Sequence, residues 1–189
     1  ITARLSGWGG EKLLDSYDAE CRPAARWYVD LSTRMFDALA ALPGGEGFRS
    51  MVAADAAWPK RLTPPGQVKA QIVYDGSPIC VADGTPLPEN GFEAWTVPAA
   101  RPGTRAPHVW LAPGHSTLDL FGREFVALRF RKDVEIKALE DAAKARGVPL
   151  SVADIDHAGA AALYGAALVL VRPDGHVAWR GDAVPEDAL

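Results

Sequence analysis

Glu124-Phe-Val-Ala-Leu-Arg-Phe-Arg-Lys-Asp133 and, one helical stretch later, Leu150-Ser-Val-Ala-Asp-Ile155 are the segments that decide the fold of this chain. Each hydrophobic run is short and ends at turn formers, the pattern of a buried strand. Between them residues 134–146 have helical spacing, Asp133 stands where an N-cap belongs, and Gly147 then Pro149 stop the helix. Further on, residues 158–164 predict a short helix, residues 166–171 a third strand, Pro173-Asp-Gly175 a turn and residues 177–180 a fourth strand. Strand, helix, strand, helix and hairpin is the order of an α/β, thioredoxin-like domain whose strands lie under helices. That fold needs a closing helix. One would only be starting at Val184-Pro-Glu-Asp-Ala-Leu189, so the last helix is expected to be truncated.

Upstream the pattern changes. Ile1-Thr-Ala-Arg-Leu-Ser6 has helix formers but no preceding cap, and is expected to be the end of an element that begins elsewhere. Gly7-Trp-Gly-Gly10 breaks the chain. From there Leu14, Tyr17, Cys21, Ala24, Tyr28, Leu31, Met35, Leu39 and Leu42 recur in steps of three or four, one apolar stripe along an amphipathic helix that Pro43-Gly-Gly45 ends. Pro23 removes a backbone bond inside this run, so a kink is expected there, or two helices meeting there. Residues 46–104 hold most of the prolines and form an irregular connection. The exception is a strand expected where Val68, Ala70, Ile72 and Tyr74 alternate with Lys69, Gln71 and Val73. Three parts follow: residues 1–45 helical, 46–104 connecting, 105–189 thioredoxin-like.

With 189 residues, 48% of them apolar, and a net charge of −4, the chain has enough material for a real core. Its charges are interspersed and no basic run tracks a phosphate backbone, which argues against nucleic acid. No apolar run nears the roughly 20 residues needed to cross a bilayer, and the start lacks the order of a secretory signal, so a cytoplasmic protein is the default. Cys21 and Cys80 are far apart and in segments of different character; neither a disulfide framework nor a zinc cluster is indicated.

The residue chemistry is mostly negative. Redox members of the thioredoxin group carry Cys-x-x-Cys at the first helix start, where the helix lowers a thiol pKa. Here that turn is Phe130-Arg-Lys-Asp133, and Gly165-Ala-Ala167 stands where a cis-proline usually faces it. His108, His115, His157 and His176 have no partners at metal-ligand spacing. His108 is expected to bond a loop or another domain, and His176 to be a cross-strand partner on the hairpin. Ser116, His115 and Asp119 are the residue types of a hydrolase triad, but adjacency gives no triad geometry and no Gly-x-Ser-x-Gly elbow exists. Gly7-Trp-Gly-Gly10 follows a helix rather than a strand and is no dinucleotide cradle. No catalytic, cofactor-binding or metal-binding residue is assigned in this chain.

Several stretches in one order carry a resemblance: Leu13-Leu-Asp-Ser-Tyr-Asp-Ala-Glu-Cys-Arg-Pro23 after Trp8-Gly-Gly10, then Arg61-Leu-Thr-Pro-Pro65, Tyr74-Asp-Gly-Ser-Pro-Ile79 and Asp83-Gly-Thr-Pro86. Pro102-Gly-Thr-Arg-Ala-Pro-His-Val-Trp-Leu111, Ser116-Thr-Leu-Asp-Leu-Phe-Gly122 and Val171-Arg-Pro-Asp-Gly-His-Val-Ala-Trp-Arg-Gly181 complete it. The chain resembles the C-terminal part of FAD-dependent aromatic-ring hydroxylases of the phenol and 2,4-dichlorophenol monooxygenase group. The resemblance implies that residues 1–45 end a flavin-binding domain whose glycine motifs lie upstream. It further implies that the parent protein binds FAD, draws electrons from NAD(P)H, and puts one oxygen of O2 into a phenolic ring through a flavin hydroperoxide. Cys21 stands where an arginine is usual; an ion pair that arginine makes within the intact flavin domain is lacking here, with Glu20 and Arg22 left to serve. The role implied for this part is structural: the helix packs, through Tyr28, Leu31 and Met35, on the absent flavin and substrate domains, and the thioredoxin-like unit supports them or a homodimer contact. Two other readings compete. One is a stand-alone, redox-inactive thioredoxin-like interaction module; the other is a thiol oxidoreductase, which needs Cys21 and Cys80 to come together.

Overall fold

The structure is a computed structural model and describes residues 1–11, 13–40, 73–86 and 99–184. Its core is a four-stranded sheet built from β3 (Phe125–Arg129), β4 (Leu150–Asp154), β5 (Leu168–Val171) and β6 (Val177–Gly181), in the order β4-β3-β5-β6. β4 runs parallel to β3, while β5 is antiparallel to both of its neighbours. β3 is central, and Val126, Ala127 and Leu128 on it are all buried, as expected for a strand covered on both faces. Alternation divides them. Val126 and Leu128 face a cluster with Val169, Val171, Val177, Ala160 and Tyr164; Ala127 faces Val134, Ile136 and Leu168. Two other short helices serve this sheet: α3 (Lys137–Ala145) supplies Leu139 to the second cluster, and α4 (Ala158–Tyr164) supplies Ala160 and Tyr164 to the first. Ahead of the sheet, β1 (Trp110–Ala112) and β2 (His115–Ser116) form a small hairpin that passes into a 3-10 turn, Thr117–Leu120.

The predicted helix cap at Asp133 is not observed: α3 starts four residues later, with Ile136 as its cap and no side-chain bond there. Val134 and Ile136 explain the delay. They are two residues apart and both buried, which one helix face cannot achieve but a turn can. Asp133 instead lies 3.5 Å from Arg131. The predicted stop is observed. Gly147, at φ +66°, donates to Lys144 and Val148 donates to Ala143, the paired bonds of a Schellman ending. α4 is capped by the His157 side chain, whose Nδ1 accepts from the Ala160 N–H at 3.1 Å.

The N-terminal part opens with α1 (Thr2–Leu5) and continues into α2 (Leu13–Ala40). α2 runs unbroken through Pro23, so the expected division into two helices does not occur. The carbonyl that loses its partner to the proline ring belongs to Ala19, which is exposed and free to bond water. Gly9 packs the two helices together, since a Cβ there would stand 2.9 Å from the Ala3 backbone. The stripe drawn from periodicity is not the face that meets the sheet domain. Among the described side chains of α2, Ser16, Glu20 and Ala24 are buried, whereas Leu14, Tyr17 and Tyr28 are 53%, 71% and 47% exposed.

The stretch 73–86 and the residues after 99 lace these parts together. Gly103 donates to Val177, Val177 to Thr104 and Ala106 to Gly175, which extends the β6 edge; Val81 donates to Ala178 and Tyr74 to Gly103. Tyr74 therefore makes a single ladder-like bond, and Val73 and Tyr74 are not a strand. The remainder of that predicted strand, the helix end at residues 43–45, Leu31, Met35 and Leu39 as side chains, Arg61 to Pro65 and the closing helix expected from residue 184 lie outside the described residues. No helix among the described residues is long and apolar enough to cross a membrane.

Candidate functional site

Arg172 leaves the end of β5 just before the Pro173-Asp-Gly175 turn, where the hairpin delivers its side chain to α2. It meets Glu20 in a two-pronged contact, Nη1 to Oε1 and Nη2 to Oε2 at 3.0 Å, across 152 residues of sequence. Both side chains are 7% exposed. The Ser77 hydroxyl donates to Glu20 as well, and Arg172 Nη1 lies 3.5 Å from the Cys80 sulfur, whose S–H reaches the Val177 carbonyl at 3.6 Å. On the solvent side Arg172 Nη2 donates to Asp174. Tyr74 closes the group: Arg172 Cζ sits 5.7 Å from its ring centre, and the His176 ring stacks on it at 4.5 Å. Helix, connecting segment and hairpin are thereby joined at one point.

Electrostatics favour this arrangement only as a set. Burial opposes the Arg172 charge, yet its bonds to Glu20 and the neighbouring Asp174 carboxylate carry its pKa above the ordinary arginine value. Burial likewise works against ionised Asp174, but the His176 side chain and the Arg172 guanidinium pull its pKa well below the usual carboxylate range. The Tyr74 phenol is raised, first by burial and then by Cys21 and Glu20 nearby. One guanidinium held by two carboxylates and a ring, with the Ser77 hydroxyl bonded in turn to Glu20, is a locking device.

Beside the lock, α1, α2 and the edge of β3 enclose a cleft of about 1020 Å³. Trp8, Leu13, Tyr17, Tyr74 and Phe125 make its apolar walls and Cys21 opens onto it. Trp8 is fixed by an edge contact to Phe125 with ring centres 6.1 Å apart.

The other sequence candidates separate. Ser116, His115 and Asp119 are neighbours, but the Ser116 hydroxyl and N–H both donate to Asp119, and His115 Nδ1 is 3.8 Å from the same carboxylate. This is a capping box on the 3-10 turn, with the serine buried and committed. His108 stands edge-on to Trp110 at 4.8 Å, His157 caps α4, and His176 sits on the hairpin as expected but stacked on Tyr74. Phe130 packs on Tyr164. Cys21 and Cys80 are both free thiols. No group of three or more potential metal ligands occurs among the described residues. Of the two residues offered to replace the missing arginine, Glu20 takes a buried partner, whereas Arg22 pairs with Asp18 on the surface at 2.8 Å. The Glu20–Arg172 bond itself went unseen in the sequence. Its one signal was Glu20 lying four residues from both Ser16 and Ala24, the spacing of a single helix face.

Comparison with known proteins places this geometry. The family described as aromatic-ring hydroxylase, C-terminal, matches residues 99–189. The chain is 34% identical over 201 residues to 4-methyl-5-nitrocatechol 5-monooxygenase of a Burkholderia species, covering 97% of this chain and 34% of that protein. It is 31% identical over 208 residues to the FAD-dependent monooxygenase apdD of Emericella nidulans, covering 97% of this chain and 33% of that one. Among solved structures, RebC soaked with chromopyrrolic acid superposes with a TM-score of 0.76 at 37% identity, over 98% of this chain and 37% of its own. The chain thus spans about a third of the length of the curated relatives it matches. Residues 99–189 belong to the aromatic-ring hydroxylase C-terminal family, and the whole chain is the counterpart of the C-terminal part of FAD-dependent monooxygenases.

Proposed function

We propose that this chain is the structural, non-catalytic C-terminal part of a flavoprotein monooxygenase that hydroxylates a phenolic ring with FAD, NAD(P)H and O2. The observation that carries the proposal is the continuity of the match: helix, connection and sheet domain correspond together to one stretch of RebC, over 98% of the chain. The site agrees with it, because the buried Glu20–Arg172 pair and Ser77 hold helix, connection and hairpin to one another. In this reading residues 1–45 complete a flavin-binding domain, 46–104 connect, and 105–189 form a thioredoxin-like domain without its thiols. The order β4-β3-β5-β6, with one parallel and two antiparallel pairs, supports that assignment. Two free cysteines suit a reducing, cytoplasmic setting. A homodimer contact by the sheet domain belongs to the same proposal.

The test is the longest natural product that contains these residues, purified and measured for intact mass, visible absorbance and NAD(P)H oxidation with phenols. A product about three times this length with flavin bands and phenol-dependent turnover is the expected result. A product of these residues alone that binds a protein partner without flavin supports the stand-alone module instead, and flavin bound by this chain by itself refutes the non-catalytic assignment.

A further inference from the structure

We draw no further inference here: the strongest candidate, the outer edge of β4 (Leu150–Asp154), beside which no strand lies among the described residues, carries nothing, because nothing in the structure shows what covers it and a contact between copies there would restate the homodimer already proposed.

Discussion

Replacing Arg172 with Leu should strip Glu20 of its cation while leaving it 7% exposed, with the Ser77 hydroxyl as its remaining side-chain partner. Breaking a buried pair from one side costs about 3–5 kcal/mol, because the surviving charge stays desolvated. In a protein of this size about 2–4 °C accompany each kcal/mol, so a fall of about 6–20 °C in melting temperature is expected. Removing both charges is a different perturbation: Glu20→Leu with Arg172→Leu leaves no orphan on α2 and should recover most of the loss. Urea unfolding of wild type, both single variants and the double variant closes the cycle, and a coupling of about 2 kcal/mol or more is expected. Amide exchange localises the effect. The α2 amides should lose protection in Arg172→Leu while those of β3 keep theirs, because the lock joins the helix to a sheet that has its own core. A double variant no more stable than Arg172→Leu would refute the claim that the pair acts as a unit.

Asp174 is ionised more readily in the folded protein than in the unfolded chain, so its contribution to stability is present above the ordinary aspartate range and is lost as pH falls below about 4 toward the lowered folded value. Asp174→Asn should therefore flatten the acid limb of a stability-versus-pH curve, measured by urea midpoints, without adding a new alkaline one. Tyr164 is fully buried and burial pushes its phenol up to about 12. Its favourable term holds below the ordinary tyrosine pKa of 10.0 and disappears as pH rises to about 12, so spectrophotometric titration should show this tyrosine ionising last, with alkaline unfolding. Tyr164→Phe removes a 2.7 Å bond to the Pro107 carbonyl, which still accepts from Thr117 at 2.8 Å, and should cost about 1 kcal/mol in denaturant unfolding and no more. Gly103 and Gly114 both have positive φ, but a Cβ on Gly103 would stand 2.7 Å from the Tyr74 carbonyl oxygen and one on Gly114 would meet nothing. Gly103→Ala should thus lower the melting temperature well beyond the effect of Gly114→Ala, for which the left-handed backbone alone costs about 1–2 kcal/mol.

The sheet domain was legible because its signals are local. Each strand is a short apolar run between turn formers, and Gly147 marks the helix end it was expected to mark. Asp133 misled because capping chemistry and core burial competed over the same few residues, and the demand to bury Val134 and Ile136 outweighed a cap. α2 was legible as a helix but not in its orientation. Periodicity finds the apolar side, and only tertiary structure shows that a carboxylate on another side meets a guanidinium 152 residues away. The lock escaped for that reason: Glu20, Ser77, Cys80 and Arg172 share no spacing.

The span of that bond also sets a schedule for the nascent chain. At synthesis rates of about 5–20 residues per second, Glu20 leaves the ribosome roughly 8–30 s before Arg172 does. Throughout that interval its carboxylate has water for company, and α2 has no sheet to lie on. β3 to β6, by contrast, occupy adjacent stretches and find one another over short loops. The order of events is then built into the sequence: the helix waits, the sheet assembles late and quickly, and the closing of one long-range contact commits the two to a common structure. A ribosome stalled before Arg172 should hold an α2 that has not yet made its bond to the sheet domain.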